Sequence, residues 1–470
     1  MVTGRGANAG LAVLAALAMV TVMPGTVGVA SAEDVPTYKT AAPRISGTAD
    51  TAHAPELEPG LHTDVIGRGE TKIYAVPLDA ENSAYFSAVA APKPGSKVEN
   101  IKDKLTVKVQ DREGITCGSE SSQYFHAEGT AYPIGDYASR EIGGGRTECQ
   151  KAGPYYVVVT REGSATSGTG DWPIELGYIK EPPVKGSTPS PRPEDSSSTV
   201  TPAPPSATDK RRAHGGTGFN DAGAIGTGVW NDRIRPGETR FYKVPVDWGQ
   251  RLNLSAELPN APSSSSSSMV SHALGLNIFN PARGAVVEDN FVSYNGKGAS
   301  AEKYTDPVEY ANRFRTTEMA KAMRFAGWYY LEVTLNSAAR QYFPQGADLT
   351  LRVDVRGGAK PGPAYTAPVP KFTVTDQDRE AARTGRTPQE AESSGTLRTV
   401  AYAGIGTGVV LLTGLGAWTL VARRRAAGAP AVPGTPGTAG TLPGQAQQSP
   451  QPLEAQQGDP TQQVRSPRGW

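Results

Sequence analysis

Two stretches of this chain repeat one another without a gap, and that repetition restricts the fold more than any other feature. Residues 60–79 read GLHTDVIGRGETKIYAVPLD and residues 228–247 read GVWNDRIRPGETRFYKVPVD, at a constant offset of 168. Ten of the twenty positions are identical: Gly60/Gly228, Asp64/Asp232, Ile66/Ile234, Gly69/Gly237, Glu70/Glu238, Thr71/Thr239, Tyr74/Tyr242, Val76/Val244, Pro77/Pro245 and Asp79/Asp247. A chain built this way makes the same supersecondary unit twice.

The correspondence continues at lower identity. Leu105, Val107 and Val109 alternate as Leu274, Leu276 and Ile278 do, and Gly153-Pro-Tyr-Tyr-Val-Val-Val-Thr160 answers to Gly327-Trp-Tyr-Tyr-Leu-Glu-Val-Thr334. A last run closes each copy, Ile174, Leu176 and Tyr178 in one and Leu349, Leu351 and Val353 in the other. Alternation at period two, rich in Val, Ile, Tyr and Thr and punctuated by Gly and Pro, predicts half-buried antiparallel strands. The expected fold is mostly β: two tandem antiparallel β-sandwich modules over 56–180 and 224–356, each long enough for two packed sheets.

The shared GET segment reads as fold-making. Gly69 and Gly237 sit where a turn delivers the chain into a strand, with Glu70 and Thr71, or Glu238 and Thr239, opening that strand. Tyr74 and Val76 share one face, as do Tyr242 and Val244. Pro77 and Pro245 limit the strand before Asp79 and Asp247, because proline cannot donate to a ladder.

The order GET-x-x-Y-x-V-P-x-D, then an alternating strand, then G-x-Y-Y-x-x-V resembles the bacterial pre-peptidase C-terminal domain. That likeness implies a jelly-roll-like sandwich of the kind that accompanies secreted proteases and other exported enzymes, some of which bind calcium or extracellular polymers. The family's acidic-Leu-Tyr strand is replaced here by Lys104-Leu-Thr-Val-Lys-Val109 and Leu274-Gly-Leu-Asn-Ile278, which departs from its calcium pattern. The stretch from Asp232 to Leu252 is also similar to modules of actinobacterial envelope proteins.

Both ends carry export signals. Arg5, an apolar run over 11–20, Pro24-Gly25 and Ala30-Ser31-Ala32 make the three parts of a secretory signal over 1–32, cut to leave Glu33. Residues 399–422 hold no charge and are followed by Arg423, Arg424 and Arg425, against Arg398 alone on the other flank. About twenty apolar residues span the hydrocarbon layer, and positive charge stays cytoplasmic. The expectation is a single-pass plasma-membrane protein, N-terminus outside and C-terminus inside. Gly404 and Gly408 would let two such helices approach as a homodimer.

Between these parts the composition changes. Residues 33–55 form an N-terminal segment. Residues 181–223 read as a Pro/Ser/Thr-rich linker, 357–398 as a juxtamembrane stalk, and 423–470 as a disordered tail with Pro430, Pro433 and Pro436. Cys117 and Cys149, the two cysteines, are expected to form a disulfide in an oxidising compartment. The second module alone carries six serines over 263–268 and a charged insertion over 302–324, with a short helix expected over 316–325. Irregular insertions on rigid sandwiches commonly form binding faces.

No catalytic constellation emerges. There is no G-x-S-x-G, H-E-x-x-H, Walker or dinucleotide motif, and His53, His62, His126, His214 and His272 lack zinc-ligand spacing. Forty-seven basic against forty-six acidic residues argue against a nucleic-acid partner. Calcium is considered only at Asp64/Asp232 and Asp79/Asp247, and sugar stacking at Trp172, Trp230, Trp248 and Trp328. The reading is a non-enzymatic envelope protein, without a cofactor, whose modules bind or scaffold an envelope protein or wall glycan. The alternatives are an accessory subunit of an export or secreted-protease system, or a hydrolase with an unrecognised site.

Overall fold

Each alternating run forms a strand because its apolar side chains have a facing sheet to meet. In the first module these are β1 (Gly60–Ile66), β2 (Thr71–Leu78), β3 (Ser83–Ala90), β4 (Lys104–Asp111), β5 (Ser121–Tyr124), β6 (Ile134–Arg140), β7 (Gly153–Glu162) and β8 (Trp172–Glu181). The second module contributes β9 (Lys210–Arg212), β10 (Gly223–Ala224), β11 (Gly228–Ile234), β12 (Thr239–Val246), β13 (Arg251–Leu258), β14 (Val270–Phe279), β15 (Ala285–Val287), β16 (Phe291–Tyr294), β17 (Ala299–Tyr304), β18 (Gly327–Leu335) and β19 (Ala347–Arg356). Two short α-helices, α1 (Glu318–Ala322) and α2 (Asp376–Ala381), and three short 3-10 helices, Tyr310–Phe314, Ser337–Gln341 and Pro370–Phe372, complete the regular structure of the described residues. This computed structural model describes residues 35–186, 209–262 and 268–387, apart from 41, 119, 128, 144 and 145.

The first module pairs β1-β8-β3-β6 in one sheet and β2-β7-β4-β5 in the other. The second repeats both orders. Its β11-β19-β13-β17 sheet gains β9 beside β11, and its β12-β18-β14 sheet gains β10 at one side and β15 and β16 at the other. Residues from both sheets of each module make its core, Tyr74, Phe86, Val107 and Leu176 in the first and Tyr242, Leu254, Leu276 and Leu351 in the second.

Gly69 and Gly237 have φ of 76° and 85°, the left-handed region that glycine enters without a Cβ clash. Pro77 lies inside β2, one residue before its end, and is tolerated because β2 is an edge strand.

Cys117 and Cys149 are joined, their Cα atoms 5.6 Å apart across a separation of 32 residues. Closing a loop of that length restricts the unfolded chain by about 3–4 kcal/mol. A Cys117→Ser/Cys149→Ser variant is expected to lose about that much stability in urea unfolding; an unchanged midpoint would refute the role.

Two boundaries need correction. The linker expected over 181–223 is folded at both ends: Lys185 N donates to Ala364 O at 2.7 Å, and residues 209–223 include β9 and an arm that packs on β12. The stalk expected from 357 is instead packed on both modules as far as 387. Thr366 N donates to Pro183 O, Phe372 stacks on Phe325 with centroids 4.1 Å apart, and Trp328 Nε1 donates to Asp378 Oδ1 at 2.9 Å. Its Gly and Pro composition resembles a linker, yet Val369, Phe372 and Ala382 are buried. Chain without regular structure is held wherever it covers apolar surface.

Among the described residues no helix is long and apolar enough to cross a membrane. The signal peptide expected over 1–32, residues 187–208, the serines 263–267, the apolar run 399–422 with Gly404 and Gly408, Arg423, Arg424, Arg425 and the tail lie outside the described residues.

Candidate functional site at the junction of the modules

The repeat motif builds a small polar hub in each copy. Tyr74 OH donates to Asp64 Oδ2 at 2.9 Å, and Gly47 N donates to the same oxygen at 2.8 Å. In the second copy Tyr242 OH donates to Asp232 Oδ2 at 2.7 Å and Gly215 N at 2.8 Å. Gly47 and Gly215 stand 168 apart, so the repeat begins earlier than residue 60. Both positions must be glycine, since a Cβ would fall 2.7–2.8 Å from the tyrosine ring. Leu57 and Ile225, also 168 apart, are both buried on the same arm.

Burial first, and then the facing carboxylate, push both tyrosine hydroxyls well above their ordinary range, so they stay protonated donors. Tyr74→Phe is expected to cost about 1–3 kcal/mol, because buried Asp64 loses one of its donors. Tyr242→Phe belongs in the same range. Urea midpoints that do not move would contradict the hub.

The other motif residues serve the turns. Glu70 Oε2 accepts from Gly67 N at 2.6 Å, and Glu238 Oε2 from Arg235 N at 2.8 Å. Thr71 and Thr239 pair with Thr160 and Thr334, each at 3.0 Å. Asp79 accepts from Asn82 N at 2.7 Å, while Asp247 accepts from Trp248 N and pairs with Arg379. Asp64 thus serves the hub and Asp79 a turn, and among the described residues no three His, Cys, Asp or Glu side chains are placed to hold a metal ion. The four tryptophans form no sugar-stacking face: Trp172, Trp230 and Trp248 are buried, and half-buried Trp328 is bonded to Asp378.

What sequence reading missed is that the two modules bind each other face to face. Side chains of β3 alternate: Ala84, Phe86, Ala88 and Ala90 enter the first core, while Tyr85 and Val89 point the other way. Val89 meets Phe219, Phe241, Phe279 and Tyr330 of the second module. Tyr85 meets Ala282, Phe325 and Phe372. The inner sheet of each module is therefore covered on both sides, which is why all eight residues of β3 are buried.

Three buried ion pairs cross this junction. Arg283 donates to Glu175, a carboxylate with no exposure that also accepts from Tyr38 OH and Asn220 Nδ2. Arg313 Nη2 donates to Glu181 Oε1 at 2.8 Å, with Tyr85 and Tyr365 hydroxyls on the same carboxylate at 2.7 Å. Arg324 Nη1 donates to Glu141 Oε1 at 2.7 Å and its Nη2 to Tyr137 OH at 2.6 Å. Every arginine comes from the second module and every glutamate from the first. The charged insertion over 302–324 thus docks on its sister module.

Local structure aims these groups. Buried Asn280 accepts from Ala282 N and Gly284 N, each at 2.9 Å, shaping the turn that presents Arg283 at φ 64°. Gly284 lies so close to Tyr137 that a Cβ would overlap the ring. Burial alone would raise the Glu141 carboxyl, but Arg324, Arg146 and Arg313 outweigh it and hold it at about 2. A depressed folded value stabilises the fold fully above about pH 4.5 and the effect is lost as pH falls through about 2.

At one end of the junction a cleft of about 460 Å³ is lined by residues of both modules, among them Glu81, Arg146, Pro182, Tyr310, Arg313 and Arg315. It mixes carboxylates and guanidiniums around an aromatic ring, with the Arg313 guanidinium 3.5 Å from the Tyr310 centroid.

No protein-family model matches this chain. No curated protein matches it either. Among solved structures, the extracellular domain of ANXUR2 from Arabidopsis thaliana aligns at 11% identity and a TM-score of 0.16, covering 65% of this chain and 86% of that one. The plant complex of the peptide RALF23 with FER and LLG2 aligns at 11% identity and a TM-score of 0.19, covering 70% and 98%. The human MASP-1/3 CUB1-EGF-CUB2 structure gives 8% identity and a TM-score of 0.15, covering 62% and 99%. Likeness at these scores carries no argument about fold or function.

Proposed function

We propose that this chain is a non-enzymatic, single-pass envelope protein whose paired β-sandwich modules bind or scaffold an envelope protein or wall polymer outside the membrane. The observation that carries the reading is the locked junction. Three buried ion pairs and two aromatic clusters fix one module against the other, so the cleft they share keeps a set geometry. A preformed site binds without the cost of ordering its own walls.

Export and anchoring rest on the sequence of the two ends: the signal-like run over 1–32 and the uncharged run 399–422 before three arginines. N-terminal sequencing of the mature protein should find Glu33, and the protein should stay with membranes through alkaline carbonate extraction. Binding is tested with the full chain in lipid nanodiscs, mixed with purified wall glycan or with solubilised envelope proteins followed by crosslinking. Retention by the glycan, or crosslinking to one defined protein, weakened several-fold by Arg146→Glu in the cleft, is the expected result. If neither occurs, the binding role is wrong. A defined exported protease as the crosslinked partner would favour the accessory-subunit reading.

A further inference from the structure

The charged side chains of this protein nearly cancel over the whole chain, yet they do not cancel everywhere. Edge strand β9 is Lys210-Arg211-Arg212, paired in parallel with β11 at Val229, Trp230 and Asn231. Together with Arg233 and His214 it lines a concave surface of about 500 Å³ whose acidic members are Asp232 and Asp348. Asp232 is occupied by its hub, accepting from Tyr242, Gly215 and Arg233 N. Asp348 stands opposite Arg233 in the register of β11 and β19. Lys210, Arg212 and Arg233 are exposed.

The surface is held in place from beneath. The Arg211 guanidinium lies 4.0 Å from the Trp230 ring centroid and donates to Thr227 O at 2.6 Å. Arg233 Nη2 donates to Gln345 O at 2.9 Å.

The end of the described chain arrives at this same place. His214 N donates to Gly385 O at 3.0 Å, and Ala224 N to Arg386 O at 2.9 Å. Gly385 fits so tightly against Arg212 O and the Trp230 ring that a Cβ there would come within 2.6 Å of both. Described residues end at 387, and the uncharged run begins at 399. The eleven residues between, 388–398, reach at most about 40 Å when fully extended.

We propose that the basic edge formed by Lys210, Arg211, Arg212 and Arg233 docks on the anionic phospholipid headgroups of the membrane that anchors the chain. This rests on the single-pass reading above. Two observations select the occupant: the sign of the charge, and the short tether leaving from beside the same strand. Basic residues near an anionic bilayer attract it additively and within about a Debye length, roughly 10 Å, and a tether of at most about 40 Å keeps that contact within the surface's reach.

The test uses the full chain, reconstituted in vesicles of phosphatidylcholine alone or of phosphatidylcholine with phosphatidylglycerol. A donor fluorophore is placed by Asp209→Cys beside β9, or by Glu113→Cys in the first module as a remote reference, and acceptor lipids mark the bilayer surface. Transfer from position 209 should rise in phosphatidylglycerol vesicles, fall back in high salt, and be lost in Lys210→Ser/Arg212→Ser/Arg233→Ser. Each removed charge should weaken docking about fivefold.

Transfer that is equal in the two vesicle compositions overturns the docking, as does transfer unmoved by the triple variant. Release by added soluble polyglycerol phosphate with no effect of lipid composition also overturns it, and would assign the edge to a wall polyanion. Failure of the chain to resist carbonate extraction is a separate result that removes the single-pass reading and the docking with it.

Discussion

Arg283→Met is expected to destabilise the folded protein by about 3–5 kcal/mol, the cost of leaving a buried carboxylate without its counter-charge. Glu175 has no exposure, and among the described residues Tyr38 and Asn220 would still donate to it. Burial opposes the charge on Arg283, yet the Glu175 carboxylate outweighs that and raises its pKa above the ordinary guanidinium value, so Arg283 keeps its charge. The double variant Arg283→Met/Glu175→Gln should cost much less than the sum of its single variants, because no buried charge remains. Urea unfolding of the four proteins measures this directly. Equal losses in the single and double variants would show that Arg283 acts by packing on Phe219, rather than through charge.

Glu332→Gln should act in the opposite direction, by an amount that grows as pH rises from about 4.5 to about 8. Glu332 is buried in β18 on the face toward the first module; Asn277 Nδ2 donates to its Oε2 at 3.1 Å, while Glu332 Oε1 and Asn277 Oδ1 have no partner. Burial raises the carboxyl to about 8, and the Asn277 hydrogen bond offsets only part of that rise. Between about pH 4.5 and 8 the folded protein therefore holds a proton that the unfolded chain releases. Stability falls by ~1.4 kcal/mol for each pH unit in that window. The glutamine variant removes the penalty while keeping shape. It should lie within about 1 kcal/mol of the wild type near pH 5 and exceed it by about 4 kcal/mol near pH 8. A difference that is the same at both pH values would contradict a protonated Glu332.

The strands and the motif turns were legible because they depend on local pattern. Leu105, Val107 and Val109 alternate because one face is core, and Gly69 and Gly237 take the left-handed conformation their turns need. The disulfide followed from the count of cysteines and the expectation of an oxidising compartment. The junction was not legible, for a physical reason. Glu175 and Glu181 occupy outward positions on a strand whose other face is Ile174, Leu176 and Tyr178, and such acids ordinarily face water. Their partners Arg283 and Arg313 lie 108 and 132 residues away, one in the turn that follows β14 and the other in the 302–324 insertion. Period-two reading assigns faces and says nothing of what covers the outer one.

Some signals were present and unused. Tyr85 and Val89 on the outward face of β3 mark a strand that is apolar on both sides. Thr375 and Asp378 form a capping box that starts α2 within the supposed stalk. Gly47 and Gly215 repeat at the same offset as the GET motif, but one glycine pair is invisible as sequence identity. Its meaning appears only once Tyr74 and Tyr242 are seen resting on it.

The account depends on the two modules being one body, and a distance across their junction tests that most directly. Spin labels at Glu113, beyond β4, and at Glu302, on β17, are both on exposed positions in different modules. Pulsed electron resonance should give one narrow distance distribution, broadened when Arg283, Arg313 and Arg324 are all replaced by alanine. A broad or two-peaked distribution in the unaltered protein would mean the modules swing independently, and the fixed cleft between them would be withdrawn.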